Sequence, residues 1–530
     1  MESPSSQHSW NVLQQADTYV TKIGGENAAD FAGNATMIAA RLAQGKKQIL
    51  AVSALRSSDP RYSQYTHQDA ADRDKLGKIK HGFNATSHLI AMASHFREGD
   101  REGARDILDR IRRFTKDIVR ADTEQHPLPH AKSILCRFDA LIDRHVDGLS
   151  AQMDGAQPED VLALEKDWLL RSPSSGIVSL TGFGEELAQT LTVQGLAVHG
   201  IRSCGIHTAG LTEAVLGDLP EETVRQESLT RQAIDSLRDT LRYQLALLLP
   251  SQDVLVAGGY LPILGGQRGY SDKTGALLAQ VAKQAGNNVA YLIEKRSPVL
   301  SADPALKLEG TRVVEHMTPH LALEVFGNVH GADGGAIHPD ALQMLADAEV
   351  DTFVLNPADS HSGSITHIHP FDPSPGGIEM VAMRPMPLAL RIRTTKMFGK
   401  PGFLKRVTDW FSARNISIDQ VLTSEVTASF TFANGGVDDN VLQSFRSFLE
   451  DLYGKDLGLD VIRDRALLFG LGNNISGIAP VTTLLHGLEQ AGISHADFLM
   501  QSTREVITAV IPREMAAAAL ARIHESCIAN

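Results

Sequence analysis

Residues 18–24 (TYVTKIG) alternate apolar and polar positions and run into Gly24-Gly25. From 28 to 44 the apolar residues then recur at helical spacing, so the stretch predicts strand, glycine turn and helix. Residues 49–54 (ILAVSA) form a short apolar run, as expected of a strand buried on both faces of a parallel sheet. Between about 69 and 170 the pattern changes to charged helical periods such as ARDILDRIRRFTKDIV, which predict a helical insertion or cap. Strand signals return at 176–180, 197–202, 254–257, 289–293 and 352–355 with helical stretches between most of them, an alternation that indicates an α/β sheet.

A second region begins near Gly377. Residues 380–383 and 388–393 predict strands, 401–414 an amphipathic helix, and 416–421 and 426–432 two more strands. The order recurs as strand 465–469, helix 479–491, strands 498–501 and 505–511, and helix 513–524. An internal repeat of roughly 75 residues is the chain's clearest organisational signal. Neither copy carries a catalytic constellation, which points to ligand sensing or association.

Length and composition narrow the class. The 530 residues exceed what one core accommodates, so two to four domains are expected. With 43% hydrophobic and 21% charged residues the balance is that of a globular protein, and no run of about 18 apolar residues predicts a membrane span. Residues 1–16 are polar and Ser-rich and are expected to be a flexible tail without secretory character. Cys136, Cys204 and Cys527 lie far apart with no CxxC spacing, which argues for a reducing, cytoplasmic setting. A formal charge of −13 disfavours a nucleic-acid partner, because neutralising phosphates needs clustered Lys and Arg.

Four stretches carry possible chemistry. Lys22-Ile-Gly24-Gly25 ends a strand, where glycines let backbone N–H groups approach phosphates and a lysine neutralises a transferring group; alone, the string reads more readily as an ordinary tight turn. Arg268-Gly-Tyr-Ser271-Asp272 leads into a helical LLAQVAKQA. Ser271 and Asp272 suit helix capping, which leaves unexplained Arg268, a bidentate fork for a carboxylate. Gly184-Glu185 places an acid at a helix start, and Ser301-Ala-Asp303-Pro304 by itself is a turn. His361, His367 and His369 cluster loosely in a Ser/Gly/Pro-rich stretch without a fourth ligand, so no metal site is assigned.

In order along the chain these stretches resemble the aspartate kinase family. The resemblance rests on Lys22-Ile-Gly24-Gly25, Val52-Ser53-Ala54, Gly184-Glu185, the run Arg268-Gly-Tyr-Ser271-Asp272-Lys-Thr274-Gly-Ala-Leu277, Ala302-Asp303-Pro304 and His338-Pro339. The repeats resemble paired ACT modules, the first retaining Gly402-Phe403-Leu404 and the run Asn415-Ile-Ser417-Ile418-Asp419-Gln-Val-Leu-Thr423-Ser424-Glu425. The resemblance implies an α/β amino-acid kinase fold, a carbamate-kinase-like three-layer sandwich over residues 17–375, with the helical insertion at about 69–170. It implies a tandem ACT region of ferredoxin-like α+β modules over 376–530. The first module would span about 388–460, and the second about 461–530 together with a strand at 378–385.

The implied chemistry is transfer of a phosphoryl group from ATP, with Mg2+, to the side-chain carboxylate of L-aspartate, giving 4-phospho-L-aspartate in lysine, threonine and methionine biosynthesis. By resemblance Lys22 neutralises the transferring group and Asp272 orients Lys22. Arg268 holds the substrate carboxylate and Glu185 its ammonium, with Ser271 and Ser53 as supporting donors. Gly24, Gly25, Ser301 and Asp303 would face the nucleotide. Met397, Gly402, Phe403, Leu404, Ser417, Ile418, Asp419, Thr423, Ser424 and Glu425 would bind an amino-acid effector, lysine or threonine, in a homodimer or dimer of dimers joined through the ACT modules.

Departures accompany the matches. Glu26 stands beside the implied phosphate path, Asp59-Pro60 replaces a family threonine, and Pro298, Leu300 and Ala305 replace a glycine, an aromatic and an arginine of the nucleotide loop. Gly334-Gly335 stands where a lysine is expected before His338; Lys295, Arg296 and Lys307 are the cations left to replace those losses. Three readings stay open: an aspartate kinase, a divergent kinase of a related amino-acid carboxylate in specialised metabolism, and a non-catalytic regulatory paralogue that senses amino acids.

Overall fold

The computed structural model describes residues 4–529 except 74–81, 128, 165–166, 173–175, 207–230, 262–269, 296, 330–336, 358–363, 372–375, 387, 400, 433–436, 455–456 and 495–498. The chain divides into two compact units, one of Met1–Pro298 with Ala332–Pro370 and one of Val299–Gly331 with Phe371–Asn530.

In the first unit the described strands of the main sheet run in the order Thr366–Ile368, Asp351–Leu355, Val289–Glu294, β1 (Thr18–Ile23), β2 (Lys47–Val52), Val254–Gly258 and Ser203–Ile206. Neighbours pair in parallel except Thr366–Ile368, which returns antiparallel. These strands read as near-continuous apolar runs because both faces are covered, the usual state of a parallel sheet. One face presents Leu50, Val52, Val254 and Val256 to a core shared with Phe31, Ile38, Leu187 and Leu191 of the helices Phe31–Leu42 and Phe183–Val198. On the other face the helix Tyr270–Gln284 approaches so closely that a Cβ on Gly275 would lie 2.9 Å from the Tyr291 hydroxyl.

The N-terminal stretch expected as a flexible tail is a helix, Pro4–Gln15. Trp10 and Leu13, one turn apart, are buried against Tyr19, Leu292, Phe353 and Leu355, and the Tyr19 hydroxyl donates to Leu13 O at 3.1 Å. Two apolar anchors in a polar segment suffice to dock it. The insertion holds the helices Ala85–Arg97, Arg101–Gln125 and Ala131–Gly155, capped at their starts by Asn84 and Asp100 in the first two cases. Its end corrects the helical expectation: Val161–Leu164 and Asp167–Ser172 are strands that pair antiparallel with the expected strand at Gly176–Ser179, because cross-strand pairing decides the state of short apolar runs.

The second unit contains two four-stranded antiparallel sheets. The first module follows the order βαββαβ: strand Leu388–Arg393, helix Phe403–Ser412, strands Gln420–Thr423 and Thr427–Phe432, helix Asp439–Tyr453 and strand Gly458–Ile462. Its core is aromatic, with Trp410, Phe411, Phe430, Phe432 and Phe445 buried together. The second module builds its sheet from Arg465–Leu471, Leu499–Ser502 and Val506–Pro512, and takes its fourth strand, Met380–Met386, from before the first module. One module is thus nested in the other along the chain.

The boundary differs from a single cut near residue 376. Residues 299–331 fold with the second unit: Leu300 bridges Val313, Val381 N–H donates to Ser301 O at 2.8 Å, and Ala302 packs into the core of Ile378, Val381, Leu468 and Ile507.

Candidate active site

The first unit carries a cavity of about 390 Å³ at the carboxyl ends of its parallel strands, where open α/β sheets receive ligands. Lys22, Gly24, Glu26, Arg56, Asp272 and Lys295 are among the residues that line it, with Asn27, Asn34, Tyr291, Ile293, Glu294, Ile337 and Asn356. The sheet's pleat explains why these side chains converge. Thr21 of β1 is level with Leu292, so Lys22 points to the face shared by Tyr291, Ile293 and, one step beyond the strand, Lys295. The Lys295 N–H donates to Leu355 O at 3.0 Å, which fixes its backbone at the strand end.

The glycine turn is built for close approach. A Cβ on Gly25 would lie 2.3 Å from Ala54 O, so only glycine fits, whereas Gly24 faces open space beside the cavity. Asp272 enters from the first turn of the helix Tyr270–Gln284, 3.4 Å from the Lys22 ammonium, and accepts the His338 backbone N–H at 3.2 Å. Next to it the Ser53 hydroxyl donates to Ser271 Oγ at 2.8 Å, and Thr274 ties the helix to Gly259 O at 2.9 Å. Glu185 lies in the first turn of Phe183–Val198, 9% exposed, and the adjacent Gly184 packs where a Cβ would meet Ala54 Cβ at 2.9 Å. Arg268 lies outside the described residues.

The other expected nucleotide residues fall in the second unit. Ser301 is fully buried and accepts the Arg312 N–H at 3.0 Å, and Asp303 caps the short helix Pro304–Leu306. Glu26, feared as a repulsive neighbour of phosphate, lies 3.6 Å from Arg56 Nε. That arginine was not legible as a site residue, because nothing in LRSS marks it. Glu294 is likewise held by Arg41 at 2.5 Å. A pair one residue beyond Asp272, the buried Lys273 with the exposed Asp340 at 2.8 Å, was also missed; Lys273 holds the Asp340 carboxyl below its ordinary range against an opposing desolvation.

The implied effector residues divide. Met397, Phe403 and Ile418 pack on the first module's core, and Gly402 adopts φ 84° just before the helix Phe403–Ser412. Leu404 is exposed, Ser417 precedes the strand Gln420–Thr423, and Thr423, Ser424 and Glu425 form the exposed turn at its end. Asp419 is clasped by Arg384 of the second module's first strand at 2.5 Å; burial pushes its carboxyl upward and Arg384 opposes that shift. Of the clustered histidines, His367 stacks between Phe353 and His369 and bonds Asp351 at 2.8 Å; His361 lies outside the described residues.

Known proteins give this geometry a context. No family model matches the chain. Aspartokinase 1, chloroplastic, of Arabidopsis thaliana is 22% identical over 279 residues, covering 50% of this chain and 48% of that protein. Aspartate kinase FUB3 of Gibberella fujikuroi is 24% identical over 351 residues, covering 58% and 66%. The chain thus spans about half to two thirds of the curated relatives it matches. Among solved structures, Clostridium acetobutylicum aspartate kinase superposes with a TM-score of 0.65 at 12% identity, over 96% of this chain and 99% of that one. Escherichia coli aspartokinase III, solved with lysine and aspartate, superposes at 0.58 with 18% identity and the same coverages. These likenesses show the fold, an α/β sheet unit and two four-stranded modules as in those aspartokinases. By sequence the chain is similar to aspartate kinases at low identity.

Proposed function

We propose that this protein is an ATP-dependent kinase of an amino-acid side-chain carboxylate, with L-aspartate as the substrate and 4-phospho-L-aspartate as the product. The observation that carries the reading is the Lys22–Asp272 pair, 3.4 Å apart, beside an open glycine turn in the strand-end cavity. A carboxylate is ionised at neutral pH and needs no base to attack. One of its oxygens forms the new P–O bond to the γ-phosphorus while the bond to the β-phosphate oxygen breaks, and ADP leaves without proton transfer. The protein's work is alignment and charge stabilisation.

Lys22 meets the negative charge that spreads over the transferring group, and Asp272 holds Lys22 in place. Ser53 and Ser271 supply hydroxyl donors, Glu185 takes the substrate ammonium, and Arg268 its carboxylate. The cavity's carboxylates Glu26, Glu294 and Asp272 are each offset by a cation, so Mg2+ would arrive with the nucleotide phosphates, whose charge it screens. A structure of E. coli aspartokinase III with aspartate and ADP, fold-similar at a TM-score of 0.56, is consistent with this ligand pair. The paired ACT modules fit feedback control by lysine or threonine in a dimer. The Glu26–Arg56 pair inside the cavity favours a second reading, a kinase of a related acid whose carboxyl or extra length reaches Arg56.

The test is ADP release with Mg-ATP against a panel of aspartate, glutamate and longer or N-modified amino-acid carboxylates, with Lys22→Ala as control. Turnover on aspartate that the substitution abolishes supports the first reading, and turnover confined to another acid moves the enzyme to the second. Silence on every acid refutes both.

A further inference from the structure

Each acid that lines the cavity already has a cation, one of them, Arg41, from outside the lining, which leaves Lys295 over. Asp272 is paired with Lys22, Glu294 with Arg41 and Glu26 with Arg56, whereas among the described residues no carboxylate lies within ion-pair distance of Lys295. Lys295 nevertheless stands on the same face of the sheet as Lys22, at the end of the adjacent parallel strand, with its backbone tied to Leu355. Two lysines aimed into one cavity repel each other unless an anion joins them. Desolvation and the Lys22 charge accordingly draw the Lys295 ammonium below its ordinary range, with Asp272 opposing.

The other described cations that line the cavity have partners. Lys22 is paired with Asp272. Arg56 is already engaged by Glu26.

We propose that Lys295 is a second phosphate-binding cation of this site, gripping the polyphosphate chain of the nucleotide together with Lys22. This rests on the kinase reading above. It assigns to a strand-end lysine the charge that the nucleotide loop lacks. Lys295 binds the nucleotide in the ground state as well as during transfer, so its loss weakens binding more than it slows the bound complex.

The experiment is calorimetric titration of the full chain with ATP, ADP and inorganic tripolyphosphate, for the natural protein, Lys295→Met and Lys295→Arg. A methionine keeps the aliphatic bulk, and an unchanged melting temperature certifies folding. Loss of one charge-assisted contact predicts about ten- to hundredfold weaker tripolyphosphate and ATP binding in Lys295→Met. Lys295→Arg should recover most of it, and the salt dependence of ATP binding should flatten in the methionine variant alone. If the natural protein binds ATP and tripolyphosphate and Lys295→Met binds them equally well, the assignment of Lys295 is overturned while the kinase reading stands. If the natural protein binds neither, both fall.

Discussion

Asp272 and Asp419 are both acids that sequence reasoning assigns to ligand handling, and each meets a cation from another element. Their settings differ. Asp272 lies 3.4 Å from Lys22, the lysine is 30% exposed, and both border an open cavity. Asp419 lies 2.5 Å from Arg384, with only 15% and 20% of the two side chains exposed, and the pair joins the two modules of the second unit. A loose pair at the edge of a cavity can re-form around an incoming anion. A tight, half-buried pair must be broken before its acid can take a ligand, and the arginine then needs a new partner. The contrast separates an open site from a contact that holds two modules together.

The largest expected effect is on the open site. Lys22→Ala should lower kcat about a hundred- to thousandfold, the scale of losing one donor aimed at developing charge, with the melting temperature unchanged. Comparable loss in folding stability rather than kcat would make the pair structural and erase the contrast.

Next comes acid sensitivity in the helical insertion. His88 is fully buried, its Nδ1–H donates to Asn84 O at 2.7 Å, and its Nε2 accepts the His67 backbone N–H at 3.1 Å. The His67 N–H demands an unprotonated Nε2, and burial lowers the ring's pKa to about 4. The unfolded chain, titrating near 6.5, therefore binds more protons between these values, so this contribution is intact above about pH 6.5 and is lost as pH falls toward 4. Urea denaturation should show stability declining by on the order of 2 to 3 kcal/mol across that window, and His88→Gln should flatten the decline.

Gly25→Ala should cost about 2 kcal/mol in the same assay, because its Cβ would press on backbone at Ala54 that cannot give way. The smallest effect falls on the clasp. Arg384→Met should cost about 1 kcal/mol, discounted for partial exposure, and should strengthen lysine binding several-fold by releasing Asp419. Unchanged lysine affinity in calorimetry would show that the clasp does not compete with an effector.

Legibility followed the same division. Lys22, the glycine turn and Asp272 drew attention through the family resemblance, since by themselves the turn and a helix cap account for them, and the fold brings Lys22 and Asp272 to one cavity. The repeated strand–helix–strand–strand order was readable from period alone, whereas the helix Asp439–Tyr453 and the strand Gly458–Ile462, which complete βαββαβ, were not marked. Arg56 and Arg384 were opaque, since each acquires meaning only from an acid distant along the chain or on the far side of a turn. The N-terminal helix hid because, among its described side chains, Trp10 and Leu13 are the strongly buried apolar anchors in a polar run. Residues 299–331 hid because their attachment is a backbone pairing and one small residue, Ala302, which leave no periodic trace.

The central claim is that the cavity at Lys22 and Asp272 makes an acyl phosphate. Hydroxylamine converts that product to a stable hydroxamate, so the full chain supplied with Mg-ATP, L-aspartate and hydroxylamine should yield aspartyl hydroxamate and ADP in equal amounts, and Lys22→Ala should yield neither. ADP formed without hydroxamate from any acid supplied, or hydroxamate undiminished in Lys22→Ala, would contradict the account.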